Sequence, residues 1–211
     1  MNSFSVFSVV KSELRRTITA RIAALDPGLR RSEEDALIAT FPGLPGFASA
    51  QTVVLFCSAF PEEIATGELF TLSYAMGKSV VCPRVDRGSR SLRLYRVTNP
   101  ADDLTPGIRG IPEPRPDLLE VQPGELDWVL VPGLAFDNRG FRLGRGAGHY
   151  DRLLPLLRPD AVCWALCLSC QVVEALPVEP HDAPLDGFSS PDKVVWGARR
   201  TTHSPLVLGD D

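Results

Sequence analysis

The sequence predicts a single α/β domain, in which helices cover both faces of a mostly parallel central sheet. Short apolar runs at residues 51–58 and 127–132 are typical of strands that are buried on both faces of such a sheet. A strand, a helix and a second strand follow one another between residues 51 and 83, as in a right-handed βαβ unit. One three-layer domain accommodates a chain of 211 residues, so we assign residues 1–211 to it.

Two helices are predicted before the first strand. Apolar residues recur at helical spacing in the first of them: Leu14, Ile18, Ile22 and Leu25. This helix covers residues 11–25, with Ser12 as a candidate cap, and the sequence Asp-Pro-Gly at 26–28 ends it. The second helix covers residues 31–41, with Ser32 as its candidate cap.

The remaining elements alternate along the chain. The predicted strands cover residues 51–58, 79–83, 92–97, 127–132, 161–169 and 194–196. The predicted helices cover residues 62–76 and 148–157, with a short helix at 172–176. Residues 98–123 are rich in Pro, Gly and Asp, so we expect loops there.

Composition and charge exclude several classes of protein. A net charge of −4 argues against nucleic acid as a partner. The longest apolar runs, at residues 128–134 and 161–168, are too short to span a membrane. The N-terminus lacks the basic region and cleavage site of a signal peptide, so we expect a cytoplasmic protein. Without a long apolar stripe, we also expect a monomer. The odd count of five cysteines argues against a disulfide framework.

A segment rich in glycine and arginine precedes the helix that is predicted at residues 148–157. Four glycines lie close together in it: Gly140, Gly144, Gly146 and Gly148. Glycines let backbone N–H groups approach a phosphate chain, and a helix start adds the positive end of its dipole. Arg142 and Arg145 would hydrogen bond to the phosphate oxygens, and Asp151 would hold a magnesium ion. The segment therefore predicts a site for a phosphorylated ligand, in preference to a flexible, solvated loop.

The glycine spacing identifies neither of two common nucleotide motifs. The sequence G-x-G-x-G at 144–148 differs from the dinucleotide fingerprint G-x-G-x-x-G. No Lys-Ser or Lys-Thr pair follows the glycines, as a Walker loop requires. General motifs therefore leave the nature of the phosphorylated ligand open.

Residues 132–154, PGLAFDNRGFRLGRGAGHYDRLL, resemble the signature of the 5-formyltetrahydrofolate cyclo-ligases, also called methenyltetrahydrofolate synthetases. That signature reads P-G-x-x-F-D followed by G-x-R-L-G-R-G-x-G-Y/F-Y-D. His149 stands where the family usually has an aromatic residue. Further family motifs are matched by Lys11, Leu14 and Arg15 (K-x-x-L-R), by 63–66 (E-I-x-T), by 77–85 (G-K-x-V-x-x-P-R-V), by 110–114 (G-I-x-E-P) and by 176–186 (L-P-x-x-x-x-D-x-x-x-D).

The resemblance implies an enzyme that uses ATP and Mg²⁺ to close 5-formyltetrahydrofolate to 5,10-methenyltetrahydrofolate, with release of ADP and phosphate. It implies an ATP site made of Lys11, Arg15, Arg142, Leu143, Gly144, Arg145, Gly146, Ala147, Gly148, His149 and Tyr150. It assigns the folate to Arg15, Ser58, Glu63, Arg109, Arg145 and His149. Asp151 and Asp182 would hold the metal, and Arg145 and Tyr150 would act in catalysis.

Some alternatives remain open in the sequence. The family often has an aromatic residue before G-I-x-E-P, where this chain has Arg109. The chain is therefore alternatively a regulatory or binding relative with an altered folate pocket. A further alternative is an enzyme that acts on another substrate. Sugar-phosphate isomerases and CoA transferases share this kind of architecture, although the arginine–glycine signature favours ATP. Tyr150 is alternatively an aromatic packed into the core, and Lys11 and Arg15 alternatively belong to a solvated helix face. We expect His181 and His203 at the surface.

Overall fold

The computed structural model describes residues 3–199; His203 lies outside this range. The helices are α1 (Ser3–Ala23), α2 (Pro27–Thr40), α3 (Gly67–Ala75), α4 (Pro100–Asp103) and α5 (His149–Leu153). The strands are β1 (Thr52–Val54), β2 (Ser79–Val85), β3 (Leu92–Arg96), β4 (Leu104–Pro106), β5 (Pro112–Pro114), β6 (Glu120–Val121), β7 (Trp128–Leu130), β8 (Ala135–Asp137), β9 (Arg142–Leu143), β10 (Val162–Leu166), β11 (Val172–Val173), β12 (Gly187–Ser190) and β13 (Lys193–Trp196).

Eight strands form the central sheet, in the order β13-β12-β10-β7-β1-β2-β3-β6. The strands from β12 to β2 are all parallel to their neighbours, whereas β13, β3 and β6 join the edges in antiparallel pairings. The sheet is therefore mostly parallel, as predicted. The chain reverses the direction in which it adds strands between β1 and β7. In open α/β sheets, ligands bind outside the carboxyl ends of the strands at such a switch point.

Both faces of the sheet are buried, which explains the continuous apolar runs of its strands. Val53 and Val54 are fully buried but belong to separate apolar clusters on opposite faces. Ile18 of α1, Leu37 of α2 and Leu69 of α3 pack in the cluster of Val53. Leu153 of α5 packs in the cluster of Val54, together with the turn that follows it. This arrangement gives the three layers that the sequence predicts.

The second helix begins four residues before its predicted start. Asp26 caps α2, because its Oδ1 accepts hydrogen bonds from the backbone N–H groups of Gly28 and Leu29, each at 2.9 Å. Pro27 takes the first helical position, where its missing N–H costs nothing. The sequence Asp-Pro-Gly thus starts α2. The prediction of Ser32 as the cap was wrong. The first helix, α1, begins eight residues before its predicted start and ends at Ala23, so Ser12 lies inside it and the prediction of Ser12 as its cap was wrong.

Two other predicted helices are shorter in the structure. Residues 62–66 are not helical. The chain turns at residues 60–63, where Glu63 N–H donates to the carbonyl of Phe60 and the Glu63 carboxylate accepts the backbone N–H groups of Ala59 and Phe60. The helix predicted at 148–157 is limited to α5 and a 3₁₀ turn (Leu154–Leu156). Pro155 interrupts it, since proline has no N–H to continue an α-helix.

The remaining differences concern short elements. Residues 172–173 form β11, which pairs with β8, so the helix predicted at 172–176 was wrong. The adjacent valines suit an extended strand once a partner strand is present. The predicted loop at 98–123 contains α4 and the antiparallel pair of β4 and β5. The strand β12 was not predicted, since Gly187 and two serines give it little apolar character.

Candidate active site

A cavity of about 400 Å³ opens at the switch point of the sheet. Phe56 and Cys57, which follow β1, line it together with Pro132 and Gly133, which follow β7. The end of β2 contributes Pro83 and Val85. The cavity thus lies where the topology of the sheet places a ligand site.

The glycine-rich segment forms one wall of the cavity, as the sequence predicts. Residues 142–151 all line it. Gly146 and Gly148 have φ values of 101° and 66°, in the left-handed region that favours glycine. Arg15 crosses from α1, and its Nε donates to the carbonyl oxygen of Gly144 at 2.8 Å. Arg15 therefore holds the loop in place, and its guanidinium lies near Gly146 at the cavity.

Arg142 and Asp151 form an ion pair at the base of this wall. Nη2 of Arg142 lies 2.9 Å from Oδ1 of Asp151, and only 4% of the arginine side chain is exposed. The same carboxylate oxygen accepts the backbone N–H of Ala183, and Nη1 of Arg142 donates to the carbonyl of Ala183. The pair therefore ties α5 to the segment that carries Asp182.

Lys11 lies between two carboxylates on the adjoining side of the cavity. Its Nζ is 2.6 Å from Asp182 and 2.8 Å from Glu179. Burial lowers the pKa of Lys11, but the hydrogen bonds from its ammonium group to Asp182 and Glu179 outweigh this and raise the pKa above its ordinary value. Lys11 is thus a fixed positive charge beside the loop, and the expectation of a merely solvated helix face does not hold for it.

Arg145 reaches from the glycine-rich loop to the opposite wall. Its guanidinium carbon lies 3.8 Å from the centroid of the Phe60 ring, and Nη2 is 2.9 Å from the carboxylate of Glu62. Nε of Arg145 is 3.7 Å from Glu63. A flat cation stacked on an aromatic ring is favourable. Arg145 therefore connects the two predicted halves of the site.

Tyr150 lines the cavity with a buried hydroxyl that has no hydrogen-bond partner among the described residues. Burial raises the pKa of Tyr150 well above its ordinary value, so the hydroxyl stays protonated. Its ring also packs against the apolar cluster below the sheet. Both interpretations of Tyr150 are thus compatible with the structure: the ring packs into the core, and the residue also lines the cavity.

A second wall of the cavity is mainly apolar. Leu92, Ile111 and Pro112 line it, together with the end of β2. Leu92 therefore contributes to an apolar wall, whereas Leu94 is buried in the core. The cavity thus combines a cationic wall with an apolar one.

His149 connects the glycine-rich loop to the turn between β2 and β3. Its Nδ1 lies 2.8 Å from the carbonyl oxygen of Arg90, and Arg152 donates to the same oxygen. Arg152 also donates to the carbonyl of Ala147 at 2.9 Å. His149 lines the cavity, but the contacts it makes hold the loop in place.

Two residues predicted at the folate site do not line the cavity. Ser58 exchanges hydrogen bonds with Thr66 and so closes the turn between β1 and α3. Arg109 is exposed at the tip between β4 and β5, with a φ of 56°. Their predicted contacts with substrate stay predictions, and the geometry gives both residues other surroundings.

The sequence interpretation missed three acidic residues of the cavity region. Glu179 and Glu62 pair with Lys11 and Arg145, and Glu113 lies in the apolar wall. Glu113 stood within the motif G-I-P-E-P at 110–114 but was given no role. Phe60 was missed as well, because only the fold brings it under Arg145.

The predicted metal residues do not form a preassembled cluster. In residues 7–199, no group of three or more His, Cys, Asp or Glu side chains gathers in a way that would hold a metal ion. Asp151 and Asp182 each face the cavity and each pair with a cation, Arg142 or Lys11. Mg²⁺ is commonly held by one or two carboxylates together with phosphate oxygens and water, so these two residues fit such a site.

Residues 7–191 match the family model of the 5-formyltetrahydrofolate cyclo-ligases. The chain belongs to this family. The cyclo-ligase of Escherichia coli K12 is 34% identical to it over 181 residues, which cover 84% of this chain and 98% of that protein. The cyclo-ligase of Mycolicibacterium smegmatis is 31% identical over 192 residues, which cover 90% and 97%.

Solved structures give the same result for the fold of this cyclo-ligase family member. The NMR structure of the 5,10-methenyltetrahydrofolate synthetase of Aquifex aeolicus superimposes with a TM-score of 0.78 at 32% identity. The match covers 95% of this chain and 97% of that one. The predicted family and fold class are therefore confirmed.

Cellular location is less firmly supported than the family. No helix within residues 3–199 has the length and apolar character needed to cross a membrane. One relative, from Arabidopsis thaliana and 29% identical over 219 residues, is named as a mitochondrial cyclo-ligase. The cytoplasmic location of this chain stays a prediction, as does its monomeric state.

Proposed function

We propose that this chain uses ATP and Mg²⁺ to cyclise 5-formyltetrahydrofolate to 5,10-methenyltetrahydrofolate, with release of ADP and phosphate. The observation that carries the proposal is the cavity at the switch point, which has a cationic, glycine-rich wall and an apolar one. Two chemically different substrates fit such a cavity: a polyphosphate and a fused heterocycle. Membership of the cyclo-ligase family supports the same pair.

The cationic wall would bind the phosphates of ATP. Backbone N–H groups of residues 144–148 are open to close approach, since a side-chain carbon is absent at three of the five positions. Arg15, Arg145 and Lys11 supply positive charge around this loop. Arg142 supports it through the ion pair with Asp151. Phosphoryl transfer needs mainly such positioning and charge neutralisation from a protein.

Asp151 and Asp182 would hold the magnesium ion beside the phosphates. When bound, Mg²⁺ neutralises charge on the phosphate oxygens. Each carboxylate is already oriented by neighbours: the Ala183 N–H bonds to Asp151, and the Glu179 N–H bonds to Asp182. The protein's part is therefore to present two fixed carboxylates at the edge of the loop.

The reaction must turn the formyl oxygen into a leaving group. The oxygen attacks the γ-phosphorus of ATP, the bond to the β-phosphate oxygen breaks, and ADP departs. The lone pair of N10 then attacks the formyl carbon, which closes the ring. The carbon–oxygen bond breaks with loss of phosphate, and the proton on N10 is released. Arg145 would neutralise the phosphoryl group, and the protonated Tyr150 hydroxyl would donate a hydrogen bond close to it.

The apolar wall would receive the pterin ring. Glu63 lies at the junction of the two walls, 3.7 Å from Arg145, and would orient the end of the ring that carries the formyl group. Arg109, on which an altered folate pocket would depend, lies outside the cavity lining. The structure therefore offers no specific support for a binding protein that lacks turnover.

An absorbance assay tests the proposed activity. Purified protein with ATP, Mg²⁺ and 5-formyltetrahydrofolate should develop the near-ultraviolet absorbance of the methenyl product. The control replaces ATP by an analogue with a non-transferable γ-phosphoryl group, which should give no signal. Retained binding of both substrates without any absorbance change would contradict the proposal and favour a regulatory relative.

A further inference from the structure

Glu113 places a carboxylate in the apolar wall of the cavity. The residue is only 4% exposed and nevertheless lines the cavity. Its ion pair within the described chain is with Arg84, at 3.7 Å, which is too long for a hydrogen bond. The same Nη1 atom of Arg84 donates instead to the carbonyl of Pro114 at 2.9 Å. The Glu113 carboxylate therefore keeps its capacity to accept hydrogen bonds.

A buried carboxylate without hydrogen bonds is unfavourable unless something else compensates it. The apolar wall that contains Glu113 is lined by Ile111, Pro112, Pro83 and Leu92, none of which has a side-chain donor. Arg84 compensates the charge at a distance but leaves the lone pairs unused. An apolar wall with one acceptor suits a flat ligand that carries N–H groups along one edge.

The backbone holds this carboxylate in a defined place. Glu113 belongs to β5, which pairs with β4. The side chain packs directly against Gly107, where an added Cβ would lie 2.3 Å from the carboxyl carbon of Glu113. A side chain at residue 107 would displace the carboxylate. The carboxylate thus keeps this position on β5 only while residue 107 has no side chain.

Glu63 differs from Glu113 in this respect. One oxygen of Glu63 accepts the backbone N–H groups of Ala59 and Phe60, at 2.9 and 3.2 Å. The other faces Arg145 at 3.7 Å. The carboxylate of Glu63 is therefore occupied largely by its own turn and by Arg145. The carboxylate of Glu113 accepts no hydrogen bond from the described residues.

We infer that Glu113 recognises the aminopyrimidinone edge of the pterin ring. The N3–H group and the 2-amino group of that ring are adjacent donors, and a carboxylate accepts both through its two oxygens. The apolar neighbours then pack against the ring faces. This inference rests on the proposed function. It assigns the selectivity of the enzyme for folate to Glu113. Glu63 and Glu113 would hold the two ends of the ring.

The test compares 5-formyltetrahydrofolate with an analogue that carries a methyl group in place of the 2-amino group. The ratio of their kcat/KM values is measured for the wild type and for Glu113→Gln. We expect the wild type to prefer the natural substrate by about 100-fold or more, and the variant to prefer it by less than about tenfold. The Kd for ATP should stay unchanged, because the ion pair of Glu113 is with Arg84 and not with the glycine-rich loop.

Two further variants separate recognition from a structural role. Gly107→Ala keeps the carboxylate but displaces it, and should lower the same ratio even if Glu113→Gln fails to fold. Glu120→Gln changes an exposed carboxylate on β6 and should leave the ratio at the wild-type value. If the preference persisted unchanged in Glu113→Gln and in Gly107→Ala, the inference about Glu113 would be wrong, whereas the proposed function would stand. A wild type that does not bind 5-formyltetrahydrofolate would overturn the proposed function as well.

Discussion

The hydroxyl of Tyr150 is a group whose effects on stability and on catalysis can be measured separately. It is buried, it is protonated because burial raises its pKa, and no described residue hydrogen bonds to it. Folding therefore gains nothing from this oxygen, although the ring around it packs in the core. A buried polar group without a partner is unfavourable, and such groups are often retained for binding or catalysis.

Tyr150→Phe should therefore leave the melting temperature unchanged or slightly raised, and should lower kcat by about tenfold or more, which corresponds to roughly 1.4 kcal/mol of lost transition-state stabilisation. Tyr74→Phe is the matched control, since the Tyr74 hydroxyl donates to the carbonyl of Val97 at 2.9 Å. That variant should lower the melting temperature and keep kcat. Thermal unfolding and steady-state kinetics measure both; an unchanged kcat in Tyr150→Phe would assign the residue to packing only.

Among the predicted site residues that line the cavity, those of one contiguous segment come together without help from distant parts of the chain. Residues 142–151 carry their chemistry within ten positions, so their side chains meet whatever the surrounding fold. Ser58 and Arg109 lie in turns whose direction depends on tertiary contacts, such as the exchange of hydrogen bonds between Ser58 and Thr66. Glu179 was missed because only the docking of α1 brings Lys11 against it.

At the scale of elements, the start of α2 shows how a cap overrides apolar periodicity. Asp26 satisfies two backbone N–H groups that the helix itself leaves unpaired. Ser32 lies inside the helix and is exposed, so its hydroxyl has no such group to bind. Element types were predicted more reliably than their ends, because the ends depend on individual side chains such as these.

Asp26→Ala should destabilise the protein by about 1 kcal/mol, the usual effect of losing a helix cap. Ser32→Ala should be neutral or slightly stabilising, since alanine is the stronger helix former. Urea unfolding followed by circular dichroism measures both. Equal effects of the two substitutions would contradict the observed start of α2.

At the scale of the whole molecule, the sheet was predictable because its strands are buried on both faces. Continuous apolar runs such as 127–132 identify such strands without any knowledge of their neighbours. The small sheet of β11, β8 and β9 was not predictable in the same way. Its strands have two or three residues, and their pairing depends on partners that are distant in sequence.

Binding of ATP with Mg²⁺ should stabilise the whole chain, because the native state alone carries the complete site. At a ligand concentration of 100 times Kd, the gain is about 2.7 kcal/mol. For a domain of this size we expect the melting temperature to rise by roughly 5–10 °C. Chelation of the metal should remove most of this rise in the wild type and little of it in Asp151→Asn. Differential scanning fluorimetry would show this; an equal effect of the chelator on both proteins would argue against Asp151 as a metal residue.

The ion pair between Lys11 and Asp182 joins positions that are 171 residues apart. A ribosome that adds 5–20 residues per second releases Asp182 roughly 10–30 s after Lys11. During that interval, the nascent chain already contains Lys11 and Arg15, and later the glycine-rich loop, but neither Glu179 nor Asp182. Until Glu179 and Asp182 have been synthesised, the ammonium group of Lys11 therefore lacks both of its ion-pair partners, and the contact between α1 and residues 179–182 can form only after that point.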